Sequence, residues 1–254
     1  MGTHFSFYPV DRRGALEIKV AEYVFEQTEP TPWTPLRRPL RECRAAVVTT
    51  AGVRLATQHQ FSCTRTSGSA EIREISAYVS PAQLAFDFTN YDPSEAQEDL
   101  NVLVPVERMR ELAEEKVLGG VTETFFSFFG LCENLAALRG TAACAVERLR
   151  AQEVDVVFVF PANLVCNQTG GIVAREIERA GIATVMLAGV REIVEQVRVP
   201  RAVFVNFPFG RPLGRAGDRA TQRRILDEMA AALCRNERPG RIRDLDLVWE
   251  GEVV

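Results

Sequence analysis

Cys166 is the residue best placed in this sequence to do chemistry. It follows the apolar run "VVFVF" (156–160) and the loop "PANLV", and it stands ahead of Asn167, Gln168, Thr169 and the pair Gly170-Gly171. A thiol just before a helix feels unpaired backbone N–H groups and the positive end of the helix dipole, and both favour the thiolate that attacks electrophilic carbon. The same position also suits a small buried residue, because free cysteine packs readily beside a turn. The residues alone leave both readings open. Gly170-Gly171 would let a carboxylate or phosphate approach the backbone, but the spacing is not G-x-G-x-x-G and no Walker lysine follows, so a nucleotide site is not expected.

Other residue types could serve a small substrate. Thr49, Thr50 and Gly52, in "TTAGV" at the end of an apolar run, could bind a carboxylate through hydroxyl and N–H groups or could simply form a turn. Asp92, after Tyr91 and before Pro93, is either a general acid/base or a helix cap, and capping is the commoner fate of Asp in that setting. Glu123 lies beside Phe125, Phe126, Phe128 and Phe129, which could line an apolar wall or belong to the core. Asn206 and Arg211 fall in "NFPFGRPLG", where a guanidinium could pair with a carboxylate. With Asn163, Asn167, Thr169 and Gly170 these complete the candidate substrate-binding set. His4 and His59 are the only histidines, so no Ser-His-Asp set is available, and Lys19 and Lys116 are the only lysines, so imine chemistry is not expected. His59 and Cys63 stand four residues apart, but no second pair accompanies them, and a metal is not expected.

The hydrophobic pattern assigns strands and helices around these residues. Residues 27–42 contain Pro30, Pro32, Pro35 and Pro39 and should lie extended over the fold. A strand is expected over Ala45–Val48, a loop from 56 with a short strand at Ile72–Ile75, and a turn with a helix start at Asp92-Pro93. An amphipathic helix from Val106, with Met109, Leu112 and Ala113 on one face, should stop at Gly119-Gly120. A further helix should reach Leu149, with Gly140 as an interruption. From Asp155 onward "VVFVF", "ATVML" and "RAVFVNF" alternate with helical stretches at Thr169–Ala180 and Val190–Val197, followed by a helix over Asp218–Cys234. This βαβαβ order favours a parallel sheet with helices on both faces, and ligands collect at the carboxyl ends of such strands.

The chain has 254 residues, 25% of them charged and 46% hydrophobic, with a formal net charge of −4, which suits a globular protein and gives no electrostatic footprint for nucleic acid. No stretch approaches a membrane span, and "MGTHFSFYPVDRRG" lacks the apolar region of a signal peptide, so a cytoplasmic location is expected. The six cysteines, Cys43, Cys63, Cys132, Cys144, Cys166 and Cys234, form no C-x-x-C pair and are expected to be reduced thiols.

Several segments taken together carry a resemblance. "TPLRRPLRECRAAVVTTAGVRL", "IREI", "NYDPSEAQEDLNVLVPVERMRELAEEKVLGG", "FSFFG", "VCNQTGGIVAREIERAGIATV" and "RAVFVNFPFGRPLG" resemble, in collinear order over residues 32–235, the selenoprotein B family of the glycine, sarcosine and betaine reductases and D-proline reductase. The resemblance implies a reductase component in which a selenocysteine or cysteine near this loop attacks the carbon next to an amine. It also implies a pyruvoyl-bearing partner subunit that activates the amine, and a small selenoprotein that takes over the carboxymethyl group. Cys166 matches the second chalcogen position of the family loop, and Asn163 stands where the selenocysteine or first cysteine is usual. A chalcogen pair can form a transient bridge and reset by exchange, which one thiol cannot do alone. Asn90 likewise stands where the family has a histidine before the Tyr91-Asp92 pair.

These readings define what the structure should contain. The fold is expected to be α/β, with two Rossmann-like lobes, mainly parallel sheets and a cleft between them, divided into 1–150 and 151–254. The function is expected to be that of a cysteine-dependent reductase or transferase acting on a small amine- or carboxylate-bearing substrate, by C–N or C–S bond chemistry through an accessible Cys166 thiol of depressed pKa, with Asp92 as its catalytic partner. The alternative is a non-catalytic scaffold or ligand-binding subunit of a multi-component enzyme. No cofactor is required by the residues. A partner subunit, a thiol carrier protein and self-association are open, while nucleic acid and membrane are not expected as partners.

Overall fold

A computed structural model describes residues 30–63, 68–87, 91–235 and 238–249 of the chain. The proline-rich segment from Pro30 has no regular structure until a 3-10 turn at Leu40–Glu42. In chain order there follow strands β1 (Arg44–Thr49), β2 (Val53–Leu55), β3 (Ile72–Ser76) and β4 (Leu84–Phe86), helices α1 (Ser94–Glu98) and α2 (Val106–Glu114), then β5 (Gly120–Val121) and β6 (Thr124–Phe128). The rest alternates as α3 (Leu135–Ala151), β7 (Val156–Phe160), α4 (Leu164–Arg179), β8 (Ala183–Ala188), α5 (Arg191–Val197), β9 (Arg201–Phe204), α6 (Arg219–Cys234) and β10 (Arg241–Asp244). His4, Lys19 and Asn90 lie outside the described residues.

One mainly parallel sheet runs β10-β9-β8-β7-β1-β6-β3, with β5 also beside β1, and only β3 is antiparallel to its neighbour. β2 and β4 form a separate antiparallel pair. The apolar runs of β1 and β7 alternate between the two faces of this sheet, as the period of a strand requires. Ala46, Val48, Val157 and Val159 join the core that holds Leu138 and Leu149 of α3, Ile172 of α4 and Ile193 of α5. Ala45, Val47, Val156 and Phe158 join the core that holds Met109 and Leu112 of α2 and Leu226 and Met229 of α6. The aromatic run at 124–128 is a central strand, with Phe126 and Phe128 on the first face and Phe125 on the second.

Strands from both sides of the expected division at residue 150 share this sheet. β1 pairs with β7 from Ala45↔Val156 to Thr49↔Phe160 while also pairing with β5 and β6. The ligand-collecting place is therefore a carboxyl edge of one sheet rather than a gap between two sheets. The chain lays β6 on one side of β1 and returns to the other for β7, which makes the carboxyl ends of β1 and β7 the switch point where a crevice opens.

Two expected boundaries shift. α4 begins at Leu164, not Thr169, because Asn163 caps it, and Gly170-Gly171 fall inside the helix. A Cβ on Gly170 would lie 3.3 Å from a methyl of Val159, and one on Gly171 would lie 2.9 Å from methyls of Val197 and Val199, so the glycines serve close packing rather than an anion. α3 runs through Gly140 without a break. Strands β2, β4 and β10 carry too little apolar pattern to have been expected.

The extended N-terminal segment is tied down by the far half of the chain. Arg175 donates to the Pro30 carbonyl at 2.8 Å, Arg201 to the Thr34 carbonyl at 3.3 Å, and the Thr34 hydroxyl to the Glu178 carbonyl at 2.8 Å. Arg201 also stacks 4.1 Å from the Trp33 ring and pairs with buried Glu178. Among the described residues no helix is long and apolar enough to cross a membrane.

Candidate functional site

Four expected residues, Thr50, Tyr91, Asn163 and Cys166, meet around one small hollow at the β1/β7 switch point, together with Ala51, Asp87, Phe129 and Gly130. A second hollow lies on the other side of Asn163, lined among others by Asn167, Gly189, Phe207 and Phe209. Each is a cavity of about 10 Å³, room for about one water.

The loop between β7 and α4 owes its shape to Asn163. Its side-chain oxygen accepts the Cys166 backbone N–H at 3.0 Å, the usual N-cap bond, worth about 0.5–2 kcal/mol. Its carbonyl accepts from the Asn167 side chain at 2.7 Å, and Asn167 in turn accepts the Gly189 N–H at 3.0 Å, which joins the β7 and β8 ends. Cys166 therefore lies in the first turn of α4, pointing across the sheet edge at β1.

Its thiol is 2% exposed and donates to the Thr50 carbonyl at 3.2 Å, while the Thr50 hydroxyl donates back to the Cys166 carbonyl at 3.2 Å. Burial pushes the Cys166 thiol up from its ordinary pKa, against the lowering effect of backbone N–H groups of Ala162 and Asn163. A carbonyl oxygen as its partner also favours the protonated form. The expected accessible thiol of depressed pKa is thus replaced by a buried, neutral one. The helix start did not lower it because desolvation is the larger effect here.

Gly130 makes room for the sulfur. A Cβ there would lie 2.0 Å from Cys166 Sγ and 2.8 Å from the Thr50 carbonyl oxygen, and the Gly130 carbonyl accepts from the Thr169 hydroxyl at 2.6 Å. The hydroxyl oxygen of Tyr91 is buried, and burial raises its pKa, with Cys166 adding to the shift. Asp87 accepts from Arg54 at 3.1 Å and from the Phe61 N–H at 2.9 Å, an ion-paired carboxylate beside the hollow. Asp87 and Gly130 were not among the residues expected from sequence. A lone Asp after a short strand and a Gly after an aromatic run read as turn residues.

The remaining expected residues divide. The N–H groups of the "TTAGV" turn are spent within the fold: Thr50 donates to Phe160, Ala51 to the Thr49 hydroxyl and Gly52 to Phe128. The Thr49 hydroxyl itself donates to carbonyls of Leu103 and Phe160. Gly52, at φ +68°, passes so close to Asp87 that a Cβ would lie 2.4 Å from its carbonyl. The turn reading therefore describes this segment, and no carboxylate cradle forms.

Asp92 is held as a helix-start carboxylate. The Ser94 N–H donates to it at 3.0 Å, with the Ser94 hydroxyl and the Arg211 guanidinium as further donors. These bonds, the Ser94 N–H first, keep it below the ordinary carboxylate range, unsuited to exchange protons near neutral pH. Arg211 is thereby an internal partner of Asp92 rather than an anion ligand. Glu123 is exposed and precedes β6, at the amino edge of the parallel strands, opposite the Cys166 loop. Asn206 follows β9 at the carboxyl edge but lines neither hollow. His59 and Cys63 are exposed, and among the described residues no group of three or more His, Cys, Asp or Glu is placed to hold a metal. All six cysteines are free thiols.

Residues 18–161 match the glycine/sarcosine/betaine reductase selenoprotein B family, more than half of the chain. The chain belongs to this family. Among its curated relatives, the D-proline reductase subunit gamma of Acetoanaerobium sticklandii is 26% identical over 89% of this chain and 93% of the relative. The glycine reductase complex component B subunit gamma of Symbiobacterium thermophilum is 33% identical over 56% of this chain and 34% of the relative. The sarcosine reductase complex component B subunit beta of Peptoclostridium acidaminophilum is 28% identical over 81% of this chain and 48% of the relative. The chain thus spans nearly all of the first relative and half or less of the other two. No solved structure matches it significantly. The selenoprotein B resemblance read from the motifs is the family that the match over residues 18–161 shows, and these relatives are components of amino-acid reductases by name.

Proposed function

We propose that this chain is a subunit of a multi-component reductase, contributing the β1/β7 carboxyl edge to the handling of a small amine- or carboxylate-bearing substrate without supplying a standing thiolate. The observation that carries this reading is the Cys166 thiol, buried and donating to the Thr50 carbonyl, with Asn163 used as a helix cap beside it. A nucleophile so placed has neither charge nor approach. The names of the relatives supply the assembly into which such a subunit fits.

A second reading, cysteine-dependent C–N or C–S bond chemistry at Cys166, is favoured by one observation. The backbone N–H groups of Ala162 and Asn163 act to lower the Cys166 pKa against its burial and would stabilise a thiolate once the loop opened. Labelling with iodoacetamide at neutral pH, resolved cysteine by cysteine by mass spectrometry, separates the two. Exposed Cys63, Cys144 and Cys234 should react and Cys166 should not, in the chain alone and in any complex it purifies with. The Cys166→Ala variant should keep the turnover of that complex. Labelling of Cys166 in the native protein, or loss of turnover in the folded Cys166→Ala complex, would overturn the first reading in favour of the second.

A further inference from the structure

Of the residues that wall the Cys166 hollow, only Asp87 and Tyr91 reach the surface; the others are buried. The two are held in different ways. Asp87 is fixed directly, both carboxylate oxygens accepting from Arg54 at 3.1 Å and one of them also accepting the Phe61 N–H at 2.9 Å. Tyr91 belongs to no helix or strand and lies in the bend before α1. Its hydroxyl oxygen is buried although the residue as a whole is only half-buried, so the ring covers the hollow with its polar end inward. Cys166 adds to the rise of the hydroxyl's pKa, as a thiol close by would.

What keeps the ring in place comes from the loop after β9. Gly210, at φ +81°, passes against the ring: a Cβ there would lie 2.4 Å from Tyr91 Cδ2 and 2.6 Å from the Asp92 carbonyl oxygen, so only glycine admits this approach. The Gly210 N–H donates to the Ala162 carbonyl at 2.8 Å, which ties this loop to the one that carries Asn163 and Cys166. Next along the chain, Arg211 donates to the Asp92 carboxylate and, at 3.4 Å, to the Ser94 hydroxyl. The Arg211 side chain is 8% exposed and that of Asp92 38%, so the pair has a fixed inner member and an outer member that water can reach. Charge-assisted pairs of this kind are the stronger hydrogen bonds, yet partial exposure keeps their net worth small enough to be reversed.

We propose that Tyr91 is the gate of the Cys166 hollow and that Arg211 is the positioning residue that holds it shut through Asp92. Movement of the bend away from Arg211 takes one wall out of the hollow and gives the thiol a path to solvent, with β1, β7 and α4 left in place. Such a change is confined to a segment outside the sheet and costs less than opening an element of the core. With the gate shut the hollow has room for about one water, so a substrate of several heavy atoms enters only when it is open. The inference rests on the reading of this carboxyl edge as the place where substrate is handled, and adds what controls access to it.

Iodoacetamide labelling at about pH 9, where thiols ionise appreciably, read by mass spectrometry as a rate at each cysteine, tests this. Tyr91→Ala should speed Cys166 labelling at least about tenfold over the parent, and Asp92→Asn and Arg211→Gln should speed it several-fold. Tyr91→Phe, which keeps the ring, should label at the parent rate. Buried Cys43 and Cys132 should stay as slow as in the parent in every variant, which separates an open gate from a loosened fold. The proposal is overturned if Cys166 in folded Tyr91→Ala labels no faster than in the parent, if Tyr91→Phe labels as fast as Tyr91→Ala, if neither Asp92→Asn nor Arg211→Gln speeds it, or if Cys43 and Cys132 quicken in step with Cys166. These outcomes are ratios between variants, whereas the proposed function is judged on the unaltered chain and on turnover of the Cys166→Ala complex, so each can fail without the other.

Discussion

At the scale of single residues, the state of Cys166 follows from what the sulfur touches. It faces a carbonyl, a glycine and a buried tyrosine hydroxyl, and none of these supplies the positive charge that would offset desolvation. A thiol raised in this way keeps a proton in the folded chain that the unfolded chain loses above about pH 8.5. The contribution to stability is therefore fully present below that pH and declines as pH rises toward the folded value. Cys43, pushed up to about 11 by burial, with Asp155 adding to the rise, acts with the same sign. The urea midpoint of the full chain should accordingly fall between about pH 8.5 and pH 10.5, and Cys166→Ala should lessen the fall. A midpoint as steep in the variant as in the parent would mean that the thiol is not held neutral by the fold. The sequence made Cys166 visible because its loop position is local, whereas its partners Thr50, Asp87 and Gly130 come from distant segments whose meeting no local pattern records.

At the scale of elements, α4 explains both what was legible and what was not. The alternation of strand and helix was readable because each segment carries its own period, but the start of α4 was read at the wrong place. Glycines before an apolar stretch suggested a helix start, while the real cap was Asn163, one of the strongest capping residues. Gly171 is in the helix interior because α5 and the Val197–Val199 turn press against it. Gly140, in the interior of α3, has nothing within 4 Å of its would-be Cβ. The same substitution should therefore act with opposite sign in the two helices. Gly140→Ala should stabilise the protein by about 0.5–1 kcal/mol, the helix-propensity gain alone. Gly171→Ala sets a comparable gain against overpacking of about 1–3 kcal/mol, and should destabilise on balance. Urea unfolding of both variants checks this, and a Gly171→Ala as stable as Gly140→Ala would mean the α4–α5 packing gives way freely.

At the scale of the whole molecule, the pairing of β1 decides how the chain holds together. The helices and parallel strands of the second half were legible from sequence, but the register that puts β1 between β6 and β7 joins residues 78 positions apart on one side, as in Val48↔Phe126, and 111 apart on the other, as in Ala45↔Val156, and leaves no local trace. With β1 removed, β6 and β7 would each lose a neighbour, and the clamp of Arg175 and Arg201 on residues 30–34 ties the two halves again at the far side. Unfolding of either half would thus expose the core of the other on both sheet faces, and the chain should unfold as one cooperative unit. Calorimetry should show a single transition with equal calorimetric and van't Hoff enthalpies. Gly171→Ala, a change beyond residue 150, should then speed the slowest amide exchange in β6 as much as in β8, because both open only through the same global event. Two resolved transitions, or faster exchange confined to β8 and its neighbours, would instead assign residues 1–150 and 151–254 to units that fold separately.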